Sequence, residues 1–256
     1  NKYSHLFICL FVLLFGSSCG DLLNQKPVSS ITNESFWTNE SDATGVLTGA
    51  YIQLRSMTCD QLFTLGESRS EVVTKAVTGD IYELYYKNTL SQELPGPDWS
   101  TLYSTVNTAN LLIKYIPRID ATEMSRNNLL AEAYTLRAYL YFVLVRTWGG
   151  VPLRVEPTEG YNPETVQKER ATEEEVFRLI KEDLDNAIAL YHDNTFWASR
   201  NRFSKPCANA LKADVYLWTA KRCGGGNADL ETALAACNEV QQADVMLLSN
   251  FGDLFE

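Results

Sequence analysis

The chain has 256 residues, of which 45% are hydrophobic and 11% aromatic, and its formal net charge at pH 7 is -10. This composition is typical of a folded protein and excludes a largely disordered chain. The negative charge disfavours nucleic-acid binding, because a polyanion would repel such a surface. The length suffices for one large domain or two small ones.

The first residues have the layout of a secretory signal peptide. Lys2 is a short basic start, residues 6–15 are an unbroken apolar block, and the small residues 16–18 lead to Cys19. A basic start, an apolar block and small residues, in that order, are typical of such a signal. The block is too short to span a membrane, which needs roughly 20 apolar residues. The alternative interpretation is a buried helix of the folded domain.

A cysteine after small residues also resembles the lipobox of bacterial lipoproteins, in which the chain is cut before Cys and the thiol is acylated. The usual Leu three places before the cysteine is Gly16 here. We therefore predict a lipoprotein signal peptide over residues 1–18 and an acylated mature N-terminus at Cys19. The chain starts with Asn1 rather than Met, so we expect at least one residue to precede it.

The next segments are predicted from their apolar spacing. Residues 39–57 carry apolar or small residues at i, i+3, i+4 and i+7, which predicts an amphipathic helix capped by Asn39 or Ser41. Residues 58–96 are rich in Tyr and Thr without a clear helical stripe, and we expect loops with short extended pieces there.

A second helix is expected after the Pro-Gly-Pro break, with Asp98 as its cap and Pro117 at its end. Asn110 lies within the apolar stripe of this helix. A buried amide must be hydrogen-bonded, and we expect its partner to be a backbone group of a neighbouring loop.

The strongest helical pattern covers residues 125–148, with two apolar stripes on different faces. Such a helix contacts neighbours on both sides and belongs inside a stack of helices. Gly149 is expected to end it in a left-handed conformation. Arg137 and Arg146 interrupt the apolar pattern, and we expect them to pair with carboxylates such as Glu132.

Three further helices follow. A capping box of Thr172 and Glu175 opens one over residues 172–191. Ser204 is expected to cap the next, and Asn227 the last, after a glycine turn. The last two helices form a unit close to the 34-residue tetratricopeptide period. The predicted fold is mainly α, a tetratricopeptide-like, right-handed stack of helical hairpins with irregular loops.

Four segments together resemble the SusD/RagB-like family. The segment "CGDLLNQKPVSSITNESFWTNESDATGVLTGAY" resembles the family's mature N-terminus, and "NTANLLI" its Asn-containing helix. The segment "AEAYTLRAYLYFVLVRTWGGVPL" is the most specific match, and "RFSKPCANALKADVYLWTA" is similar to a later helix. The resemblance covers residues 19–256. Family chains are about twice as long, so we expect an incomplete, N-terminal SusD-like helical-repeat region.

The resemblance implies a surface-exposed lipoprotein of the outer membrane, held there by its lipid anchor. It also implies that the protein binds oligosaccharides or other nutrients and delivers them to a SusC-like TonB-dependent transporter. No nucleic-acid partner is expected. Two alternatives stay open: a glycoside hydrolase lipoprotein, and a helical-repeat adaptor that binds only protein.

Trp197 and Trp99 are the candidate ligand-binding residues, because each lies at or beside a break between helices. Packing against the core is the competing interpretation for both, and we assign Trp37, Trp148 and Trp218 to the core.

We expect no catalytic residues, since the sequence has no G-x-S-x-G, P-loop or G-x-G-x-x-G motif. We expect no metal or cofactor either, because the cysteines lack a CxxC spacing. Small buried thiols are the simplest interpretation of the cysteines at 59, 207, 223 and 237, with a disulfide among the last three as the alternative.

Overall fold

The computed structural model describes residues 36–70, 82–91, 98–160 and 162–254. The chain divides into two compact units, Asn1–Phe36 and Trp37–Glu256, and nearly all described residues belong to the second. The predicted signal peptide over residues 1–18 and the predicted acylation site at Cys19 lie outside the described residues.

The described chain is helical, with six long helices. They are α1 (Glu40–Met57), α2 (Ser100–Tyr115), α3 (Glu123–Trp148), α4 (Glu173–Leu190), α5 (Lys205–Arg222) and α6 (Gly226–Gln241). Each long helix packs against the next one along the chain. Within the described ranges the only β pairing is an isolated bridge between Asn39 and Asp120. The mainly-α hairpin stack is therefore confirmed.

The core of the stack is built around α3. This helix packs between α2 and α4 and also contacts α1 and α5. Leu140 and Tyr141, from its two predicted stripes, are both fully buried. The two-sided burial predicted from the double stripe is confirmed.

Local capping signals set several helix ends. The Thr172 capping box begins α4, as predicted. Of the two predicted caps of α1, Asn39 is the observed one, and it also forms a capping box with Asp42. Ser204 occupies the N-cap position of α5, but its hydroxyl makes no capping bond. Asn227 lies inside α6 rather than capping it. Gly149 ends α3 with the expected positive φ of 71°, but its ψ of -139° lies outside the left-handed helical conformation that was predicted.

The expectation of loops and extended pieces after residue 57 is wrong where the structure describes that region. The chain continues from α1 into a π-helix, Thr58–Leu62, then into helical turns at Phe63–Leu65 and Glu67–Arg69, and a short helix follows at Tyr82–Tyr86. The Thr58 hydroxyl donates to the Leu54 carbonyl, so this β-branched residue is accommodated within the turn. Tertiary packing overrides the weak strand preference of Tyr and Thr.

Candidate functional site

An irregular segment after α3, residues 150–159, lies along α2; we call it the strap. Three α2 side chains at i, i+4 and i+7 face the strap, because this spacing places them on one side of the helix. Tyr103 donates to the Pro152 carbonyl (2.7 Å), Asn107 accepts from the Thr158 amide (2.6 Å), and Asn110 donates to the Arg154 carbonyl (2.9 Å). The backbone partner predicted for Asn110 is thus confirmed.

A buried ion pair fixes the orientation of Asn110. Arg137 donates from Nε and Nη2 to Asp183, at 2.8 and 2.7 Å, and from Nη1 to Asn110 Oδ1 at 2.8 Å. The side chains of Arg137 and Asp183 are 7% and 2% exposed. With its oxygen held by Arg137, the Asn110 amide nitrogen is left to bond the strap.

Both predicted arginines pair with carboxylates, but not with Glu132. Arg137 binds Asp183, and Arg146 lies 3.8 Å from Asp214 at the surface. Glu132 instead pairs with Arg202 at 2.7 Å. The prediction that both arginines pair with carboxylates is correct, and the prediction of Glu132 as the partner is wrong.

A half-open cavity of about 470 Å³, which we call the Trp99 cavity, lies between the strap and α2. Its lining combines aromatic, hydroxyl and amide side chains: Trp99, Ser100, Tyr103, Ser104, Asn107, Asn110, Pro152, Arg154 and Thr158. The Trp99 and Tyr103 rings meet edge to face with centroids 5.8 Å apart, and Trp148 supports Trp99 at 5.9 Å. The N-cap position of α2 is Trp99, one residue after the predicted cap Asp98, whose Oδ1 accepts from the Ser100 amide.

The cavity wall suits binding better than acid–base chemistry. The described residues that line it include no carboxylate, imidazole or thiol. Burial raises the pKa of Tyr103 well above its usual value, so its hydroxyl stays a neutral donor. Burial also raises the pKa of Tyr141, to about 12, and this hydroxyl bonds both the amide and the carbonyl of Arg154 in the strap.

The two predicted ligand-binding tryptophans lie in different surroundings. Trp99 lines the cavity, and the Arg170 guanidinium stacks over its ring at 5.6 Å. Trp197 is half-buried and packs against a cluster of Ala131, Ala187, Tyr191 and Ala208. The Arg202 guanidinium lies 5.0 Å from its ring centroid.

Sequence reasoning missed most of the polar lining of the Trp99 cavity. No site role was predicted from the sequence for Tyr103 or Asn107. The i, i+4, i+7 spacing of Tyr103, Asn107 and Asn110 is the signal that points to a shared polar face.

Neither the cysteines nor other potential metal ligands of the described chain form a second site. The described chain holds no group of three or more side chains arranged to bind a metal ion. Cys207, Cys223 and Cys237 are unpaired thiols, and the last two are exposed rather than buried as expected. No helix among the described residues is long and apolar enough to cross a membrane.

Comparison with known proteins gives consistent matches. Residues 21–217 match a SusD-like family described as "Starch-binding associating with outer membrane". SusD-like protein P38 of Formosa agariphila is 33% identical over 221 residues, which are 85% of this chain and 42% of the relative.

Two solved structures share the fold. NanU of B. fragilis superposes with a TM-score of 0.81 at 32% identity, over 90% of this chain and 47% of its own. A laminarin-binding SusD-like protein superposes with a TM-score of 0.71 at 25% identity, over 85% and 48% of the two chains. The chain thus spans about half the length of the proteins it matches. With most of its length matched by the family and a relative above 30% identity, the chain belongs to the SusD-like family.

Proposed function

We propose that this protein captures oligosaccharides in the Trp99 cavity without cleaving them and delivers them to a partner TonB-dependent transporter. In this proposal residues 1–18 are a lipoprotein signal peptide, and acylated Cys19 holds the protein at the outer membrane, exposed at the cell surface. Residues 19–256 are the N-terminal SusD-like region. The starch-binding description of the family and the laminarin-binding neighbour support a saccharide as the ligand.

The composition of the Trp99 cavity carries the proposal. Sugar rings present apolar C–H faces that pack on aromatic rings, while their hydroxyls need donors and acceptors. Trp99 and Tyr103 provide the rings, and Ser100, Ser104 and Asn107 provide the polar groups. The volume of about 470 Å³ lies within the range of small-molecule sites.

Calorimetric titration of the chain lacking residues 1–19 with malto-oligosaccharides and laminarin oligosaccharides tests this site. Trp99→Ala should weaken binding by about 1–3 kcal/mol, as expected for an aromatic that packs on the ligand. Phe251→Ala is the control, because its side chain is 75% exposed and lies outside the cavity lining. Unchanged affinity of Trp99→Ala, with clear binding by the parent chain, would contradict the assignment of this cavity.

Trp197 remains a predicted ligand contact, and the same titration tests it. Trp197→Ala should also be measured by thermal unfolding, because its packing against the core predicts a loss of stability. A stability loss with unchanged affinity would assign Trp197 a purely structural role.

Two further measurements separate this proposal from its alternatives. Chromatography of the incubated oligosaccharides should show no shortened products; their appearance would favour a glycoside hydrolase. Affinity purification from cells should recover a TonB-dependent transporter. Recovery of a protein partner without any saccharide binding would favour an adaptor.

A further inference from the structure

The connection between α4 and α5 is long compared with the turn that follows α5. It covers residues 191–204, whereas three residues connect α5 to α6. Connections of this length without helix or strand are uncommon in compact domains, and ordered ones are often functional. A few residues would be enough to connect these two neighbouring helices, so joining them does not explain the length of the loop.

Buried contacts hold the base of the loop rigidly. Glu132, whose side chain is fully buried, accepts from Arg202 at 2.7 Å and from the Tyr51 hydroxyl at 2.6 Å. The Tyr51 hydroxyl in turn accepts from the Phe203 amide at 2.8 Å. Trp197 packs inward against the helices. These contacts therefore hold the loop in a fixed position against the helices.

The residue before Trp197 lines a second cavity. Phe196 is half-buried and forms part of a cavity of about 550 Å³ between the loop and the end of α6, which we call the Phe196 cavity. Its other lining residues are mostly polar: Asn194, Thr195, Ser199, Arg200, Gln242, Ala243 and Asp244. Ser199 has a positive φ of 129°, a strained conformation for a residue with a side chain, and such strain often occurs at functional sites.

The charges in the Phe196 cavity balance one another. The Arg200 guanidinium stacks over the Phe196 ring at 4.4 Å and donates to Asp244 Oδ2 at 3.1 Å. Both charged side chains are largely exposed, so this ion pair contributes little stability and opens easily to a ligand. A cavity with paired charges, amides and hydroxyls around one apolar ring favours a neutral, hydroxyl-rich molecule over an ion.

We propose that the Phe196 cavity is a second saccharide-binding site, separate from the Trp99 cavity. The ligand class rests on the proposed function, since the same oligosaccharides would reach both cavities. Two sites on one chain would let it hold a long polysaccharide at two points, which raises the effective concentration for the second contact.

Binding stoichiometry provides the test. The chain lacking residues 1–19 is titrated calorimetrically with malto- and laminari-oligosaccharides too short to bridge two sites. We expect two sites per chain for the parent protein; Trp99→Ala should weaken one of them and Phe196→Ala the other by about 5- to 150-fold, and the double variant should weaken both. Gln242→Ala, on the other side of the cavity, should weaken the same site at least threefold, and Phe251→Ala should leave both sites intact. Circular dichroism melts confirm that each variant is folded.

The possible failures are distinguishable. If the parent protein has a single site whose affinity falls in Trp99→Ala and is unchanged in both Phe196→Ala and Gln242→Ala, this inference is overturned and the proposed function stays intact. Two sites whose affinities are unchanged in both Phe196→Ala and Gln242→Ala also overturn the inference. Absence of binding to any of the oligosaccharides overturns the inference together with the proposed function.

Discussion

At the scale of single residues, Arg137 connects three parts of the molecule. It belongs to α3, binds Asp183 of α4 through two nitrogens, and holds the Asn110 amide of α2. Through Asn110 this pair reaches the strap that forms one wall of the Trp99 cavity. The ion pair therefore shapes the cavity without lining it.

Replacing Arg137 should be strongly destabilising. Arg137→Met leaves Asp183 buried without a counter-charge and removes a donor from Asn110, so the free energy of unfolding should fall by about 3–5 kcal/mol. The control is Lys212→Met, which breaks a partly exposed pair with Asp185 and should cost less than about 1 kcal/mol. Urea denaturation measures both, and equal losses in the two variants would contradict the argument.

Arg137 pairs with Asp183 and not with Glu132. This difference shows which features of single residues can be predicted from the sequence. An arginine within an apolar helix demands a carboxylate, and this much follows from the cost of burying charge. Glu132 lies five positions from Arg137 on the same helix, and this spacing turns the two side chains away from each other. The true partner lies on another helix, 46 residues away, and only the packing of α3 against α4 selects it.

At the scale of elements, α3 owes its position to apolar residues on two faces. Leu140 is fully buried, so Leu140→Ala should lower the free energy of unfolding by about 2–5 kcal/mol through lost packing and the cavity left behind. Met124, in the first turn of the same helix, is 56% exposed, and Met124→Ala should change stability by less than about 0.5 kcal/mol. Thermal melts compare the two; a shift below one degree for Leu140→Ala would contradict two-sided burial.

The strap depends on a glycine at its start. A Cβ atom at Gly150 would lie 2.1 Å from the Ala171 carbonyl oxygen, beside the hydrogen bond from Ala171 to Val151. Gly150→Ala should therefore displace the strap and cost about 1–3 kcal/mol. Gly160 has nothing within 4 Å of the same position, so Gly160→Ala should be neutral or stabilise by a few tenths to about 1 kcal/mol. Denaturant unfolding distinguishes the outcomes, and a neutral Gly150→Ala would contradict the close approach.

Elements set by neighbouring residues were predicted better than those set by distant contacts, although the predicted cap at Asn227 is wrong. The cap at Asn39, the capping box at Thr172 and the stripes of α3 depend on residues within a few positions. The helical turns after α1 and the path of the strap depend on long-range bonds, such as that from Gln61 to the Asp98 carbonyl. For the same reason Trp99 was identified as a candidate, while the strap that completes its cavity was not.

At the scale of the whole molecule, the Trp99 cavity and the Phe196 cavity lie at different points of one helical stack. Both combine an aromatic ring with amide and hydroxyl groups, although the chain as a whole carries a net charge of -10. A negative surface does not attract neutral saccharides, so in the proposed function their capture depends on these local surfaces and on the proposed location at the cell surface. The proposed lipid anchor is therefore as important to this function as the cavities are.

The anchor gives the last prediction. A cysteine that carries more than one acyl chain gives stable membrane attachment. Cys19→Ala should therefore move the protein from the outer-membrane fraction to the soluble fraction when cells are fractionated. The matched control is Cys9→Ala, which changes the proposed signal peptide without removing the acylation site. The experiment is done in cells that lack the partner transporter, because that contact alone could retain the variant. If Cys19→Ala still sediments wholly with the outer membrane in those cells, acylation of Cys19 is not the anchor.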